Sequence, residues 1–429
     1  MTPTGTRSAV ARTADARPTP TVAPATPPTM RDAGWDDARD AALLLGGRLR
    51  ERRPGSAELV PLGDALGRTL SVDLRARADL PGADASAMDG WAVGSPGPGP
   101  WRVGDPVLAG HAPADVALAA DEARPIATGA PVPPATAGIL RSEHGDVASG
   151  VLRVNALAPG GGARVRAEIR PAGEEARRGD VLLAAGTRLT AVRLGLAAAA
   201  GHDLVPVLAA AGADVIHLGD EVVDRGVPVP GRVRDAIGPA LPALLAACGL
   251  GAGSTVRVPD DAHATRDAIA QATAPLVITT GGSSRGPADH VRGALDALRA
   301  RLVVDAVRMR PGHPVMLAEL PDGRAVLCLP GNPLAAIACL LSFAPAIADG
   351  LAGRPLPVPA LAVAGAELPG GGSGTRLVAC ALDAEGRLVP VGAQGPGMLR
   401  GLAAADALAV VPPTGARVGE AVRAIPLPG

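Results

Sequence analysis

The chain has 429 residues with 41 basic and 42 acidic side chains, a net charge of -1, which leaves no basic footprint for a nucleic-acid partner. That length exceeds one compact core, so several domains are expected. The four cysteines, Cys248, Cys328, Cys339 and Cys380, form no C-x-x-C pair; this argues against a zinc site or a disulfide framework, and three of them read as small buried hydrophobes.

Lysine and tyrosine are absent, and Phe343, Trp35, Trp91 and Trp101 are the only large rings, so cores must be built from Ala, Val and Leu. With no run of about 18 uncharged apolar residues in view, no membrane span is expected. The N-terminus has charges but no apolar stretch of a secretory signal, and a cytoplasmic location is the expectation.

In chain order, residues 1–30, rich in Pro, Thr, Ala and Arg, read as a disordered tail. Segment 31–75 reads as an N-terminal helix and the start of a linking domain. Asp36 is its expected cap, with Ala41, Leu44, Leu45 and Leu49 on one stripe. Residues 76–163 alternate short β-like pieces with Gly/Pro clusters, the pattern of a small β-rich module. Residues 164–195 complete the linking domain, including the strand–turn–strand at Gly179–Leu189 and the start of an Ala-rich helix over about 190–201.

From 196 to 351 the alternation is α/β. Apolar strands at Ala213–Leu218, Leu276–Thr280 and Val326–Leu329 and helices at Asp235–Cys248 and Ala288–Ala300 predict a parallel sheet covered on both faces. Ligands of such sheets bind beyond the carboxyl ends of the strands. Residues 352–429 read as a C-terminal β domain, with strands at Ala360–Val363, Arg376–Ala381, Leu388–Val391 and Leu408–Val411.

Four constellations could carry chemistry. In LVITTGGSSRGPADHV (276–291), Gly281 and Gly282 permit close backbone approach, Ser283 and Ser284 add hydroxyls, and a helix start favours an anion. Asp289 in that turn equally suits the helix dipole. In VLCLPGNPLAA (326–336), Pro330 and Gly331 make the turn, Asn332 is the expected cap, and Pro333 takes the first helical position. RMRPGHP (308–314) offers Arg310 and His313 to an oxyanion. The fourth is acidic: Asp220, Glu221, Asp235 and Asp89 suit Mg²⁺ or the positioning of water at a phosphoanhydride. No G-x-S-x-G is present, and the glycines near Gly160 lack the Lys-Ser/Thr of a phosphate loop, so serine hydrolase and nucleotide triphosphatase readings fail.

The order of the motifs is more specific than any one of them. LPGADASAMDGWAV (80–93), ATGAPVP (127–133), GTRLT (186–190), LGDE (218–221), TTGG (279–282) with Asp289, RPGHP (310–314) and LPGNP (329–333) together resemble the molybdopterin molybdenumtransferases, a family that includes one domain of gephyrin. The resemblance covers about residues 35–429. It implies a three-layer molybdopterin-binding α/β domain with a β-rich module, a small linking domain and a C-terminal β-barrel-like domain. The implied reaction inserts molybdate into adenylylated molybdopterin with release of AMP, helped by Mg²⁺ or another divalent cation. A binding or carrier protein built on the same pocket is the alternative.

The resemblance further implies a homodimer whose cleft is shared between subunits, with a molybdopterin adenylyltransferase as a further partner. Asp89, Thr128 and Glu175 would act from the β-rich side. Glu221, Asp235 and Asp289 would line the α/β side and hold the metal. Gly281, Gly282, Ser283, Ser284, Arg310, His313, Pro330, Gly331, Asn332 and Pro333 would bind substrate.

The chain departs from the family pattern at His217–Leu218 before the acidic pair, at Ala236–Ile237 after Asp235 and at Ala172 before Gly173–Glu175. Further departures are Ser283 and Arg285 in the glycine turn, and Arg310 and His313 where two lysines are usual. His313 would be only partly charged at neutral pH.

Overall fold

The computed structural model describes residues 28–52, 57–110, 116–209, 211–283, Gly286 and 289–428. Of the expectations above, those for the tail before Pro28 and for Ser284, Arg285 and Ala288 lie outside the described residues.

A seven-stranded sheet organises the molecule. Its order is Met30–Ala33, Arg301–Val307, Met316–Glu319, Ala325–Leu329, Leu276–Thr280, Gly212–Leu218 and Gly251–Val258. The strands from Ala325–Leu329 to Gly251–Val258 pair in parallel. Met316–Glu319 runs antiparallel to both of its neighbours, so the sheet is mixed where a parallel one was expected. The cause is connection length: parallel strands need a crossover of about a dozen residues or more, and the links over 308–315 and 320–324 are shorter than that.

Successive residues of each strand feed opposite cores. Val277 joins Ile216, Leu218, Val291 and Leu295 on one face; Ile278 joins Val215, Leu45, Leu245, Leu340 and Phe343 on the other. Each such side chain contributes roughly 1.5–3 kcal/mol by leaving water.

The helices Trp35–Arg52, Leu241–Ala247 and Pro333–Ala352 contribute to the second core. Trp35–Arg52 crosses Pro333–Ala352 so closely that a β-carbon on Gly350 would lie 2.1 Å from the Leu43 carbonyl oxygen. Trp35 is buried there; its indole Nε1 donates to Ser342 Oγ at 3.1 Å, and Arg39 stacks 4.7 Å above its ring. Asp36 is not the cap: the helix begins at Trp35, the Gly34 carbonyl accepts from Ala38, and Asp36 instead pairs with Arg423 at 2.6 Å. Leu44 points outward, unlike Ala41, Leu45 and Leu49. Pro333–Ala352 has a mean hydropathy of 1.9 and the length of a membrane span, against the expectation of no such run; 89% of it is buried in the protein, as fits a core helix.

Other boundaries also differ. The helix expected from Asp235 runs over Leu241–Ala247, because the Asp235 carboxylate takes the Ile237 and Gly238 amides into a turn. That expected over Ala288–Ala300 runs over Val291–Ala297. The strand Met30–Ala33 pairs with Arg301–Val307 where the tail was drawn to residue 30.

The β-rich region is a six-stranded sheet ordered Gly138–Arg141, Gly90–Val93, Glu122–Ile126, Trp101–Val103, Val151–Val154 and Gly145–Ala148. Trp101, Val93 and Leu152 fill one side, and Ala92, Ile126 and Ile139 the other. Between it and the large sheet, Ala57–Pro61 pairs with Leu204–Leu208 beside the helix Ala191–Ala199, which Thr190 caps. At the C-terminus, Met309–Arg310, Thr375–Leu382, Ala407–Val411, Ala421–Pro426 and Ala360–Val363 form one sheet, with Leu388–Pro390 on Thr375–Leu382 and a single bridge from Ala364 to Leu388.

Candidate active site

Three adjacent parallel strands, Ala325–Leu329, Leu276–Thr280 and Gly212–Leu218, end side by side, and each is followed by a turn built from a motif named above. The Gly281 amide donates to the Leu329 carbonyl at 3.1 Å, which ties the first two turns together. Gly281 has φ +88°, and a β-carbon there would lie 2.8 Å from the Leu218 carbonyl oxygen. Only glycine permits both the backbone angle and the approach. Pro330 and Gly331 follow, and Asn332 and Pro333 start the long helix as expected. Asn332 occupies the cap position without a side-chain cap bond, which leaves its amide available to a ligand. Ser283 is buried beside these turns.

The Arg308–Pro314 loop leaves the same end of the sheet. It is anchored from below by Cys339 Sγ, 3.5 Å from the Gly312 carbonyl oxygen. Arg310 is exposed, while His313 sets Nδ1 3.2 Å from the Val307 carbonyl and Nε2 3.6 Å from Asp32. Asp289 sits in the turn before its helix and accepts from the Gly286 amide at 2.5 Å. Glu221 is exposed beyond Gly219, and its backbone carbonyl accepts from Val233.

The acids of this wall are not equivalent. Asp235 is 8% exposed. Its Oδ1 accepts from the Ile237 and Gly238 amides at 3.0 and 2.8 Å, and its Oδ2 pairs with the Arg257 guanidinium. Burial pushes its carboxyl up, but the Gly238 amide, Arg257, His217 and the Ile237 amide together outweigh that, and it lies below the usual carboxylate range. His217 is buried on the neighbouring strand; Nδ1 lies 2.8 Å from Thr280 Oγ1 and Nε2 has no partner among the described residues. Burial holds its imidazole below the ordinary value, with Asp235 opposing and Arg257 assisting.

Asp89 and Thr128 meet in the β-rich module. The Thr128 amide and hydroxyl donate to Asp89 Oδ1 at 2.6 and 2.9 Å. These two bonds hold the exposed Asp89 carboxyl below its usual range, so it is an anion at neutral pH. Glu175 is exposed on the neighbouring loop, where its amide donates to the Leu80 carbonyl.

Among the described residues no three of His, Cys, Asp and Glu stand together as a metal cage, so the expected set of Glu221, Asp235 and Asp289 is not assembled. Arg257 is the residue that sequence reasoning missed. It lies 22 positions from Asp235 on a strand whose pattern carries no motif, and only the pairing of Gly251–Val258 with Gly212–Leu218 brings it there. Two cavities, of about 440 Å³ under the helix Ala262–Gln271 and about 1030 Å³ between Trp35–Arg52 and Leu66–Thr69, lie away from these turns. Arg257 also lines the smaller of the two, and the turns together form a shelf at the carboxyl end of the sheet.

A mixed α/β sheet with glycine and proline turns at its carboxyl ends, joined to β domains on both sides, defines a multidomain α/β protein with β domains. Residues 35–201 match the MoeA N-terminal region (domain I and II), 214–349 the probable molybdopterin binding domain, and 362–427 the MoeA C-terminal region (domain IV). The molybdopterin molybdenumtransferase of Synechococcus elongatus is 36% identical over 66% of this chain and 72% of its own length. Molybdopterin molybdenumtransferase 2 of Mycobacterium tuberculosis is 34% identical over 65% of this chain and 71% of its own. The crystal structure of a molybdopterin biosynthesis moeA protein from Pyrococcus horikoshii superposes with a TM-score of 0.73 over 92% of this chain and all of that one, at 21% identity; it shares the fold. The chain belongs to the molybdopterin molybdenumtransferase family, transferases of molybdenum cofactor biosynthesis.

Proposed function

We propose that the chain inserts molybdate into adenylylated molybdopterin, with cleavage of the phosphoanhydride and departure of AMP. The observation that carries this reading is the meeting of the Gly281–Gly282 and Pro330–Pro333 turns at adjacent strand ends. The backbone amides and the Asn332 side chain there receive the pterin, and Pro330 and Pro333 hold the turn rigid. Arg310 offers a permanent positive charge to molybdate or phosphate oxygens. Asp289 and Glu221 border the nucleotide side.

Asp89 faces the cleft from the partner subunit of a homodimer, its carboxylate oriented by Thr128, with Glu175 nearby. A second wall over the strand ends would exclude water from the phosphoanhydride, and the Asp89–Thr128 pair offers an oriented carboxylate for it. Transfer of the substrate from a molybdopterin adenylyltransferase, in the cytoplasm, fits the same reading. The divalent cation that the resemblance implies does not fit the residues as they stand, because the Asp235 carboxylate already takes two amides and a guanidinium; no step is routed through it. The carrier alternative is not favoured, the curated relatives being transferases.

Complementation of a molybdenumtransferase-deficient strain, with and without millimolar molybdate, tests the reading. Rescue by the wild-type chain, lost in Asp89→Ala and Asp289→Ala with soluble protein retained, is the expected result. A soluble wild-type chain that rescues under neither condition overturns it.

A further inference from the structure

Asp235 pairs with Arg257 at the acidic wall of the shelf. The Asp235 side chain is 5% exposed and that of Arg257 39%, so the guanidinium reaches the shelf from solvent and ends on a carboxylate held from behind by two amides. Three acceptor positions of that carboxylate are taken: two accept amide hydrogens on Oδ1, and Oδ2 faces a charged donor. His217 is buried on the strand paired with that of Arg257, and burial holds its imidazole below the ordinary value. A divalent ion arriving at Oδ2 would meet the positive guanidinium within a few ångströms, in a partly desolvated place where like charges repel strongly.

We infer that Arg257 supplies at Asp235 the positive charge that a divalent cation would otherwise bring, so that this position of the shelf is occupied by the protein's own guanidinium and binds no metal. The consequence is chemical. Guanidinium gives fixed, planar hydrogen bonds to an oxyanion and cannot exchange, whereas a hydrated divalent ion can be removed by chelation. A phosphate oxygen docking beside Asp235 therefore finds a permanent donor there.

The inference uses the placement of Asp235 in the site but not the reaction, and its test needs no turnover. Mn²⁺ is titrated into the full-length chain and bound ion is followed by electron paramagnetic resonance. Wild type and Asp235→Asn are expected to bind Mn²⁺ alike. Arg257→Gln, which leaves the carboxylate without its guanidinium, is expected to bind at least about tenfold tighter than Arg257→Gln/Asp235→Asn, and Arg257→Lys is expected to follow wild type. Wild-type binding that Asp235→Asn abolishes overturns the inference, and so does the absence of any gain in a folded Arg257→Gln. If circular dichroism shows Arg257→Gln unfolded, the wild type, Asp235→Asn and Arg257→Lys comparison still decides. Failure of this test leaves the transferase reading standing, and failure of complementation leaves the charge assignment standing.

Discussion

The strand Gly212–Leu218 has a buried carboxylate near each end, and the two ends use it differently. At the amino end, Asp214 Oδ1 accepts from the Ser254 amide and hydroxyl and Oδ2 from the Thr273 and Ala274 amides, all at 2.7–2.8 Å. Every partner is neutral: Ser254 lies on the adjacent strand, and Thr273 and Ala274 on the loop before Leu276–Thr280. Burial raises that carboxyl, yet the four bonds lower it to about 2. At the carboxyl end, Asp235 is tied to amides on one oxygen only, and a half-exposed arginine closes the other. The first arrangement knits three strands together. The second leaves charge and, among the described residues, an imidazole nitrogen without a partner next to the shelf. Saturation with neutral donors is the pattern of a structural acid, and incomplete saturation that of a candidate functional one.

That contrast can be broken by experiment. The largest effect is expected for Asp214→Ala, which strands four donors at once and should cost about 4 kcal/mol, at about 1 kcal/mol per lost bond; a shift in the urea unfolding midpoint of the α/β domain measures it. A loss under about 1 kcal/mol would remove the distinction between the ends. Next, Asp89→Ala should lower the insertion rate by at least about 10²-fold, or about 2.7 kcal/mol in the barrier, while the unfolding midpoint stays in place, because the side chain is exposed. Rate and stability falling together would make Asp89 structural.

The pH dependence comes third. The Asp214 pKa lies below its ordinary 3.8 in the folded chain, so its stabilisation is fully present above about pH 4 and is lost as the pH falls towards 2. Wild type should therefore lose about 2 kcal/mol more than Asp214→Asn over that interval. Parallel profiles would show the carboxylate to be uncoupled from folding. The smallest effect is expected for Asn332→Ala, within about 0.5 kcal/mol in thermal stability because no side-chain cap bond is lost. A cost nearer the roughly 1 kcal/mol typical of a cap would place the side chain in the fold and not at the ligand.

The site was partly legible in the sequence. Gly281–Gly282 and Pro330–Pro333 announce themselves because a tight turn at a strand end constrains the backbone locally, and glycine and proline record that constraint. Asp89 and Thr128 were read from their motifs, and their bond was not, because 39 positions separate them. The helix starts expected at Asp36 and Asp235 were misplaced because an acidic residue near a helix start has several possible partners: Asp36 pairs with the distant Arg423, and Asp235 draws the Ile237 and Gly238 amides into a turn. The antiparallel strand Met316–Glu319 inside the large sheet follows from connection lengths that an apolar pattern alone does not reveal.

The sequence by itself determined the family and the turns that shape the shelf, since each is written in contiguous residues whose backbone or spacing allows little else. Only the tertiary structure decided which acids remain open. A carboxylate's availability is a property of its neighbours in space, and for Asp214 and Asp235 those neighbours arrive from strands and loops that no local pattern connects.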